Sequence, residues 1–314
     1  MSILQMKGKI LVTGGAGVIG RPLVGKLLQN GAELSVIDLA ERPKEWPKEV
    51  CYLQTDINQL DKDQLLKINP DYCFHLAASF ERSEESPEFF QKNFYNNILL
   101  SHALLYHLQR CDCLKKIIFA SSYLVYNPED YFFKTPPKKR VNLSEVSSLS
   151  PRNLCGNAKL LHENELNFIS RHSSFKAVSA RIFRVYGKGS HDIISRWTRL
   201  LIAGKAIKIY GKESVFDYIY ADDVAEGLIR LAESEIEGVV NLGTGKSRRV
   251  AEVLAILKEH FPEMDVEDEE HSSLYEASQA CMEEFVKAVK WRPTTTLEKG
   301  IPKIIAYEKT TGLK

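Results

Sequence analysis

The chain of 314 residues has no excess of either charge: 42 Lys and Arg stand against 41 Asp and Glu, a formal net charge of +1. No basic field argues for nucleic acid, and no acidic block reads as a solvated tail. No apolar run approaches the roughly 20 residues that a membrane span needs. The opening Met1-Ser2-Ile3-Leu4-Gln5-Met6 is too short and too polar to read as a secretory leader, so the expected location is the cytoplasm. Cysteine is sparse. Cys51, Cys73, Cys111, Cys113, Cys155 and Cys281 show no metal-ligand spacing, and Cys111-Asp112-Cys113 has no second pair or histidine set to complete a site. Free thiols and no metal are therefore expected. What remains is a globular composition, 44% hydrophobic, long enough to bury one large core with a smaller lobe.

Residues 11–20, Leu-Val-Thr-Gly-Gly-Ala-Gly-Val-Ile-Gly, follow an apolar strand at Lys9 to Thr13 and open a helix at Arg21 to Asn30. Glycines at 14, 17 and 20 suit a tight turn, a backbone that approaches a pyrophosphate, and close packing of helix on strand. A second strand, Leu34 to Asp38, ends in a carboxylate. A carboxylate there accepts hydrogen bonds from the adenosine ribose diol and repels a 2′-phosphate, which selects NAD(H) over NADP(H). Arg42 is the residue placed to soften that preference.

The alternation of apolar runs with amphipathic stretches continues, which is the pattern of a Rossmann-type, doubly wound parallel α/β sheet. Strands are expected at Val50 to Gln54, Tyr72 to Ala77, Lys116 to Ser121 and Phe175 to Arg181, with helices at Gln59–Ile68, Pro87–Gln109 and Pro151–Arg171. Asn127–Ser150, with Pro128, Pro136, Pro137 and a Lys-Lys-Arg run, reads as an irregular loop over the carboxyl edge of the sheet. Beyond Tyr186 the pattern is mixed: a helix near Ile193–Ala203, a strand Ile207–Tyr210, a helix Ala221–Glu233, a strand Val239–Leu242 and two later helices. The expected division is residues 1–180 with 217–245 as the nucleotide-binding domain, and 181–216 with 246–314 as a smaller mixed α/β substrate lobe.

Further landmarks follow in order: Asp56-Ile57, His75-Leu76-Ala77-Ala78, Asn93 six residues after Pro87, Phe119-Ala120-Ser121-Ser122, Lys159, Arg181 to Gly187, Asp217 to Val224, and Asn241-Leu242-Gly243-Thr244-Gly245. Singly, each reads as a strand end or a helix cap. As an ordered series with the glycine turn and Asp38, they resemble the extended short-chain dehydrogenase/reductase family, in its NAD-dependent sugar-nucleotide epimerase/dehydratase branch, over nearly the whole chain. The resemblance implies NAD held by Gly14, Gly17, Val18, Ile19, Gly20, Asp38, Asp56, Ile57, Leu76, Ala77, Ala78, Asn93 and Lys159. It also implies a nucleotide-sugar substrate near Ser79, Ser122, Arg184, Lys188 and Arg196, and a homodimer pairing the helices after Pro87 and Pro151 as a four-helix bundle.

In that family a tyrosine phenolate takes the hydroxyl proton of a substrate carbinol as hydride leaves. A lysine four residues on supports it, and a Ser or Thr holds the same oxygen. Ser122 and Lys159 match two of these roles, but the residue four before Lys159 is Cys155. A thiol, with an unperturbed pKa of about 8.5 against roughly 10 for tyrosine, is an acceptable base beside an ammonium. Its sulfur, however, falls roughly 4–5 Å short of a tyrosine hydroxyl, whereas proton transfer needs contact near 3 Å or a bridging water. Tyr123 and Tyr126 are the neighbouring phenols, Tyr123 being the less ordinary for the family. The acidic pair that 4,6-dehydratases carry after the Ser or Thr is replaced by Tyr123-Leu124, which speaks against dehydration by that route. The arginine usual before the Asp-Tyr-Ile-Tyr stretch is Phe216, and no second one is evident around Ser278–Cys281. Lys188, Arg196, Arg199, Arg248 and Arg249 are candidates to replace those charges. Arg184, where the family has asparagine, either binds an anion or pairs with a carboxylate. Two readings follow: an NAD-dependent oxidoreductase or epimerase with Ser122, Lys159 and Cys155 or Tyr123 as catalytic residues, or a catalytically silent NAD-binding protein with a structural or sensing role. A nucleophilic or redox role for Cys155 is a third and weaker one.

Overall fold

The structure, a computed structural model, describes residues 6–79, 85–269 and 274–311. The residues before Met6, part of the segment read above as no leader, lie outside this range. Seven parallel strands form the central sheet: β1 (Lys9–Thr13), β2 (Glu33–Asp38), β3 (Cys51–Gln54), β4 (Tyr72–His75), β5 (Lys116–Ser122), β6 (Lys176–Ile182) and β7 (Gly238–Leu242). Their spatial order is β7-β6-β5-β4-β1-β2-β3. The chain runs outward from β1 to β3, then returns to β4 on the other side of β1. A crevice opens at that reversal, where ligands of doubly wound sheets bind. Register brings the carboxyl ends together there, with Thr13 opposite Ile37 on one side and His75 on the other.

Side chains of a strand alternate between faces, so each strand feeds two cores. In β1, Ile10 and Val12 join the core on one face and Leu11 the core on the other; in β5, Ile118 and Ala120 part from Ile117 and Phe119 in the same way. All are nearly inaccessible, which is why these strands read as continuous apolar runs. The helices are α1 (Gly20–Gln29), α2 (Lys62–Ile68), α3 (Pro87–Asn93), α4 (Leu100–Leu108), α5 (Leu154–Ser170), α6 (Ile193–Ile202), α7 (Ala221–Glu233), α8 (Val250–His260), α9 (Glu283–Val289) and α10 (Leu297–Thr311). Helices α1 and α7 cover the first face; α2, α4 and α5 cover the second. A third cluster, around Trp197, Ile207, Val253 and Ile301, fills the lobe.

Four expectations need correction. The single helix expected over Pro87–Gln109 is interrupted by a π-helical segment, Phe94–Leu99, whose wider turn accompanies an inward-facing pair of asparagines. Asn97 donates to Asn93 Oδ1 (2.7 Å), accepts from the Ser79 N–H (2.7 Å) and donates to the Ser79 carbonyl (2.8 Å). The loop expected over Asn127–Ser150 contains two short strands: Phe132–Phe133 pairs antiparallel with Tyr275–Glu276, and Val141–Leu143 pairs parallel with Ser278–Ala280. Neither is periodic enough to be seen without its distant partner. After β7 three helices rather than two are present among the described residues. Helix α2 also starts later than expected, because Asp61 and Gln64 form a capping box ahead of it. No described helix is long and apolar enough to cross a membrane.

Candidate functional site

The turn from β1 into α1 is built around what its glycines avoid. Gly14 has φ +72°, and a Cβ there would lie 2.7 Å from the Ala77 backbone nitrogen. Only glycine seats this turn against the end of β4. A Cβ on Gly20 would lie 2.3 Å from the Gly14 carbonyl oxygen, so α1 folds tightly over the turn that feeds it. Gly17 differs: it is exposed, and its Cβ would meet only the Gly14 oxygen, at 3.2 Å. Packing of the chain does not require glycine there, whereas close approach of a pyrophosphate does. The following Val18 and Ile19 are half-buried, and the start of α1 has neither a side-chain cap nor an acidic residue in its first turn. Its orphan amides and positive end suit an anion.

Asp38, half-buried at the end of β2, accepts the Ala16 N–H (2.8 Å) on one oxygen and the Ala40 N–H (2.9 Å) on the other, which holds the carboxylate over the glycine turn. Arg42 does not oppose it. Its guanidinium donates to the Val50 carbonyl at 2.9 Å and to that of Pro47, so the expected softening of the NAD preference has no group to provide it. Asp56 accepts from the Asn58 N–H and the Tyr95 hydroxyl, each at 2.9 Å, while the Ile57 side chain lies in the core rather than the cleft. Leu76 and Ala77 are tied to β1, through the Thr13 carbonyl (3.1 Å) and hydroxyl (3.3 Å) respectively. Ala78 is exposed beside them. Buried Asn93 belongs to the asparagine clamp on Ser79.

Ser122 ends β5, half-buried, its hydroxyl accepting the Leu124 N–H at 3.2 Å. Helix α5 reaches it because residue 156 is glycine: a Cβ there would lie 2.6 Å from the Leu124 carbonyl oxygen. The Asn153 side chain caps α5 through the Gly156 N–H at 2.8 Å. This contact sets the first turn of α5, with Cys155 and Lys159 one turn apart, against the residues after Ser122. The Cys155 thiol is buried and donates to the Ser79 carbonyl, S···O 3.6 Å. The Lys159 ammonium lies 4.7 Å from the centre of the Phe119 ring and makes no hydrogen bond among the described residues. Burial pushes it down to about 8 against the opposing pull of Cys155 and Glu163. Beneath, His75 bridges the Thr13 and Ser101 hydroxyls at 2.8 and 2.9 Å, and burial holds its ring neutral.

One supporting group escaped the sequence analysis. Glu163, one turn beyond Lys159, forms a buried ion pair with Arg181 (2.8 Å) and accepts from the Ser121 hydroxyl. The spacing from Lys159 places Glu163 on the same helix face, but nothing local marks Arg181 as its partner. Tyr126 is committed elsewhere: its hydroxyl donates to Asn241 Oδ1 at 2.6 Å and burial raises its pKa to about 12. Tyr123 is buried, stacked on Phe183 with ring centres 5.1 Å apart, and burial raises its pKa further than the nearby Glu276 carboxylate does. Of the basic candidates in the lobe, Lys188 and Arg196 are exposed. Arg199 pairs with Glu308 (2.8 Å), Arg248 with Glu252 and Glu298 (2.7 and 2.9 Å), and Arg249 with Glu213 (3.5 Å), so these three act as ties within the fold. Arg184 has no carboxylate partner among the described residues. Its guanidinium lies 3.8 Å from the centre of the Phe216 ring.

A seven-stranded parallel sheet with a glycine turn, a carboxylate at the end of β2 and a Ser and Lys at the carboxyl edge defines a dinucleotide-dependent protein of the extended short-chain dehydrogenase/reductase class. The model of the NAD dependent epimerase/dehydratase family matches residues 10–243, and the chain belongs to that family. Its cofactor is NAD, and the uncapped α1, the unexplained Gly17 and the placement of Asp38 fit that group. The chain is 28% identical to the dTDP-4-dehydro-6-deoxyglucose reductase of Escherichia coli, over 95% of this chain and 97% of that one. It is similar in structure to the UDP-glucose 4-epimerase of Thermus thermophilus in complex with NAD, with TM-score 0.82, 27% identity and coverage of 98% and 100%. MoeE5 in complex with UDP-glucuronic acid and NAD matches with TM-score 0.83 and 25% identity, over 97% of this chain and 100% of that one.

Proposed function

We propose that the protein is an NAD-dependent oxidoreductase or epimerase that acts on a sugar hydroxyl of a nucleotide sugar. The observation that carries this reading is the close packing of Gly156 on Leu124, which sets Lys159 and Cys155 against the end of β5 where Ser122 stands. When bound, NAD supplies the acceptor or donor of hydride at the substrate carbon. Ser122 holds the substrate oxygen by a hydrogen bond, and Lys159 keeps a positive charge beside it. The hydroxyl proton passes through a bridging water, which makes up the shorter reach of the sulfur, to the Cys155 thiolate, which the neighbouring ammonium favours over the thiol. Tyr123 is the poorer acceptor, since burial disfavours its phenolate. Its stacked ring serves as a wall. Residues 1–180 with 217–245 carry the cofactor, and the remainder forms the substrate lobe.

A second reading, a silent NAD-binding protein, is favoured by one observation: in the structure Cys155 donates to the Ser79 carbonyl, as a thiol does and a thiolate cannot. The two readings separate by mass spectrometry of the small molecules released when freshly purified protein is denatured. The enzyme releases NAD+ together with NADH and a nucleotide sugar. Release of NAD+ alone, or of nothing, favours the silent protein. We further infer a homodimer through α3, α4 and α5, which with the π-helical segment between α3 and α4 leave the apolar side chains of Phe90, Phe94, Tyr106, Leu161 and Phe168 exposed. The inferred location is the cytoplasm, which suits six free cysteines.

A further inference from the structure

On the lobe side of Tyr123 lies a polar cluster that neither the fold nor the proposed proton transfer uses. Arg152, just before α5, donates to Glu276 at 2.8 Å and lies 5.6 Å from the centre of the Tyr123 ring. Glu276 is 3% exposed and accepts from the Ser278 hydroxyl on its other oxygen, at 2.6 Å. This pair is internally satisfied, and it joins the loop before α5 to the strand Tyr275–Glu276. Two groups beside it are not satisfied. The guanidinium of Arg184 faces Tyr123, Glu276, Tyr218 and Arg152, yet makes no hydrogen bond or ion pair among the described residues. The Tyr218 hydroxyl is buried with no partner among the described residues. Native proteins rarely leave such groups orphaned, and each calls for a partner that an ordered water or a ligand supplies.

Charge and position narrow the ligand. Arg152 is paired with Glu276, and Asp192, a carboxylate near Tyr218, is taken up by the Ile194 and Ser195 amides and the Ser195 hydroxyl, so Arg184 is the cation left for an anion and a single negative charge is its complement. The rings of Tyr123, Phe183 and Phe216 pack around the cluster. In the sheet Ser122 lies opposite Ile182, and Arg184 follows two residues later, itself opposite Tyr218 in the next strand pair. Two extended residues span about 7 Å, so a group bound by Arg184 lies about a sugar ring from the carbinol that Ser122 would hold. We propose that Arg184 and the Tyr218 hydroxyl, backed by the Arg152–Glu276 pair, recognise a carboxylate carried by the sugar of the substrate. The assignment rests on the nucleotide-sugar reading above and specifies its substrate as a sugar acid. A diphosphate shares the anionic chemistry but carries more than one charge and lies on the nucleotide side of the sugar.

The test uses the full chain loaded with NAD and measures binding of UDP-glucuronic acid and UDP-glucose by calorimetry. The wild-type protein is expected to prefer the acid by about ten-fold or more, as a charge-assisted pair in a partly buried site provides. In Arg184→Gln that ratio is expected to fall to near one, and in Tyr218→Phe to an intermediate value. Arg184 holds no ion pair, so its variant should melt with the wild type, and the melt is recorded alongside. Equal binding of both sugars by the wild type overturns the proposal while leaving the nucleotide-sugar reading in place. A preference that survives Arg184→Gln while both affinities drop together also overturns it, and assigns Arg184 to the diphosphate. Failure of both sugars to bind overturns the nucleotide-sugar reading itself, and this proposal with it.

Discussion

At the scale of single residues, the site is governed by Lys159 and by what surrounds it. Its ammonium titrates near 8, below the roughly 10.4 of an unfolded lysine. Between those values the unfolded chain binds the extra proton, so the contribution of this group to stability rises with pH across that window. Its charge in the folded protein is lost on the same rise. Turnover should therefore fall as pH climbs through about 8, and in Lys159→Arg, which stays charged, the alkaline limb should disappear from the pH–rate profile. An unchanged limb in that variant would assign it to another group. Glu163 makes a sharper structural prediction. Removing it in Glu163→Ala leaves Arg181 buried without its partner, a loss of about 3–5 kcal/mol that urea unfolding should register. Cys155→Tyr tests the departure from the family directly: a gain in oxidation of ordinary nucleotide sugars would identify Cys155 as the residue that limits the reaction.

At the scale of elements, the glycines after β1 separate fold from binding. Gly20→Ala places a methyl 2.3 Å from the Gly14 oxygen, against backbone that cannot yield, so it should lower the melting temperature sharply with or without NAD. Gly17→Ala meets one atom at 3.2 Å. It should melt within about 1 kcal/mol of the wild type, the ordinary range for exposed sites, yet bind NAD at least about ten-fold more weakly, because the methyl stands where the pyrophosphate approaches. Titration of the two variants with NAD decides this, and equal affinity in Gly17→Ala would mean that the phosphates lie elsewhere. Gly17 and Gly20, like the alternation of β1 and β5, were legible because each depends on neighbours within a few residues. The strands Phe132–Phe133 and Val141–Leu143 were not, since each is two or three residues long and is held by pairing with the chain's C-terminal part.

At the scale of the whole molecule, NAD should stabilise the fold by about 2.7 kcal/mol at a hundred-fold excess over Kd, observed as a melting temperature that rises with NAD. The exposed apolar residues of α3, α4 and α5 predict a dimer by light scattering. Leu161→Glu with Phe168→Glu should return it to a monomer without unfolding it, because both side chains are exposed within one chain, at 48% and 66%. A wild-type monomer would refute the dimer. The expected doubly wound α/β sheet stands at this scale, and the glycine turn lies where the order of strands reverses.

The sequence by itself determined the doubly wound sheet and the use of NAD, and it offered Gly14 to Asp38 as the cradle. These rest on short-range spacing, in which strand, turn and helix impose their own residues, whereas the roles open to Ser122, Lys159 and Cys155 rest on the resemblance to the family. Tertiary structure alone decided that Arg42 is tied to backbone carbonyls, that Arg199, Arg248 and Arg249 are ion-paired, that Glu163 meets Arg181, and that Arg184 meets no carboxylate among the described residues. A charged side chain is attracted to any opposite charge within a few ångströms. Which charge comes that close is settled by the packing of elements far apart in the chain.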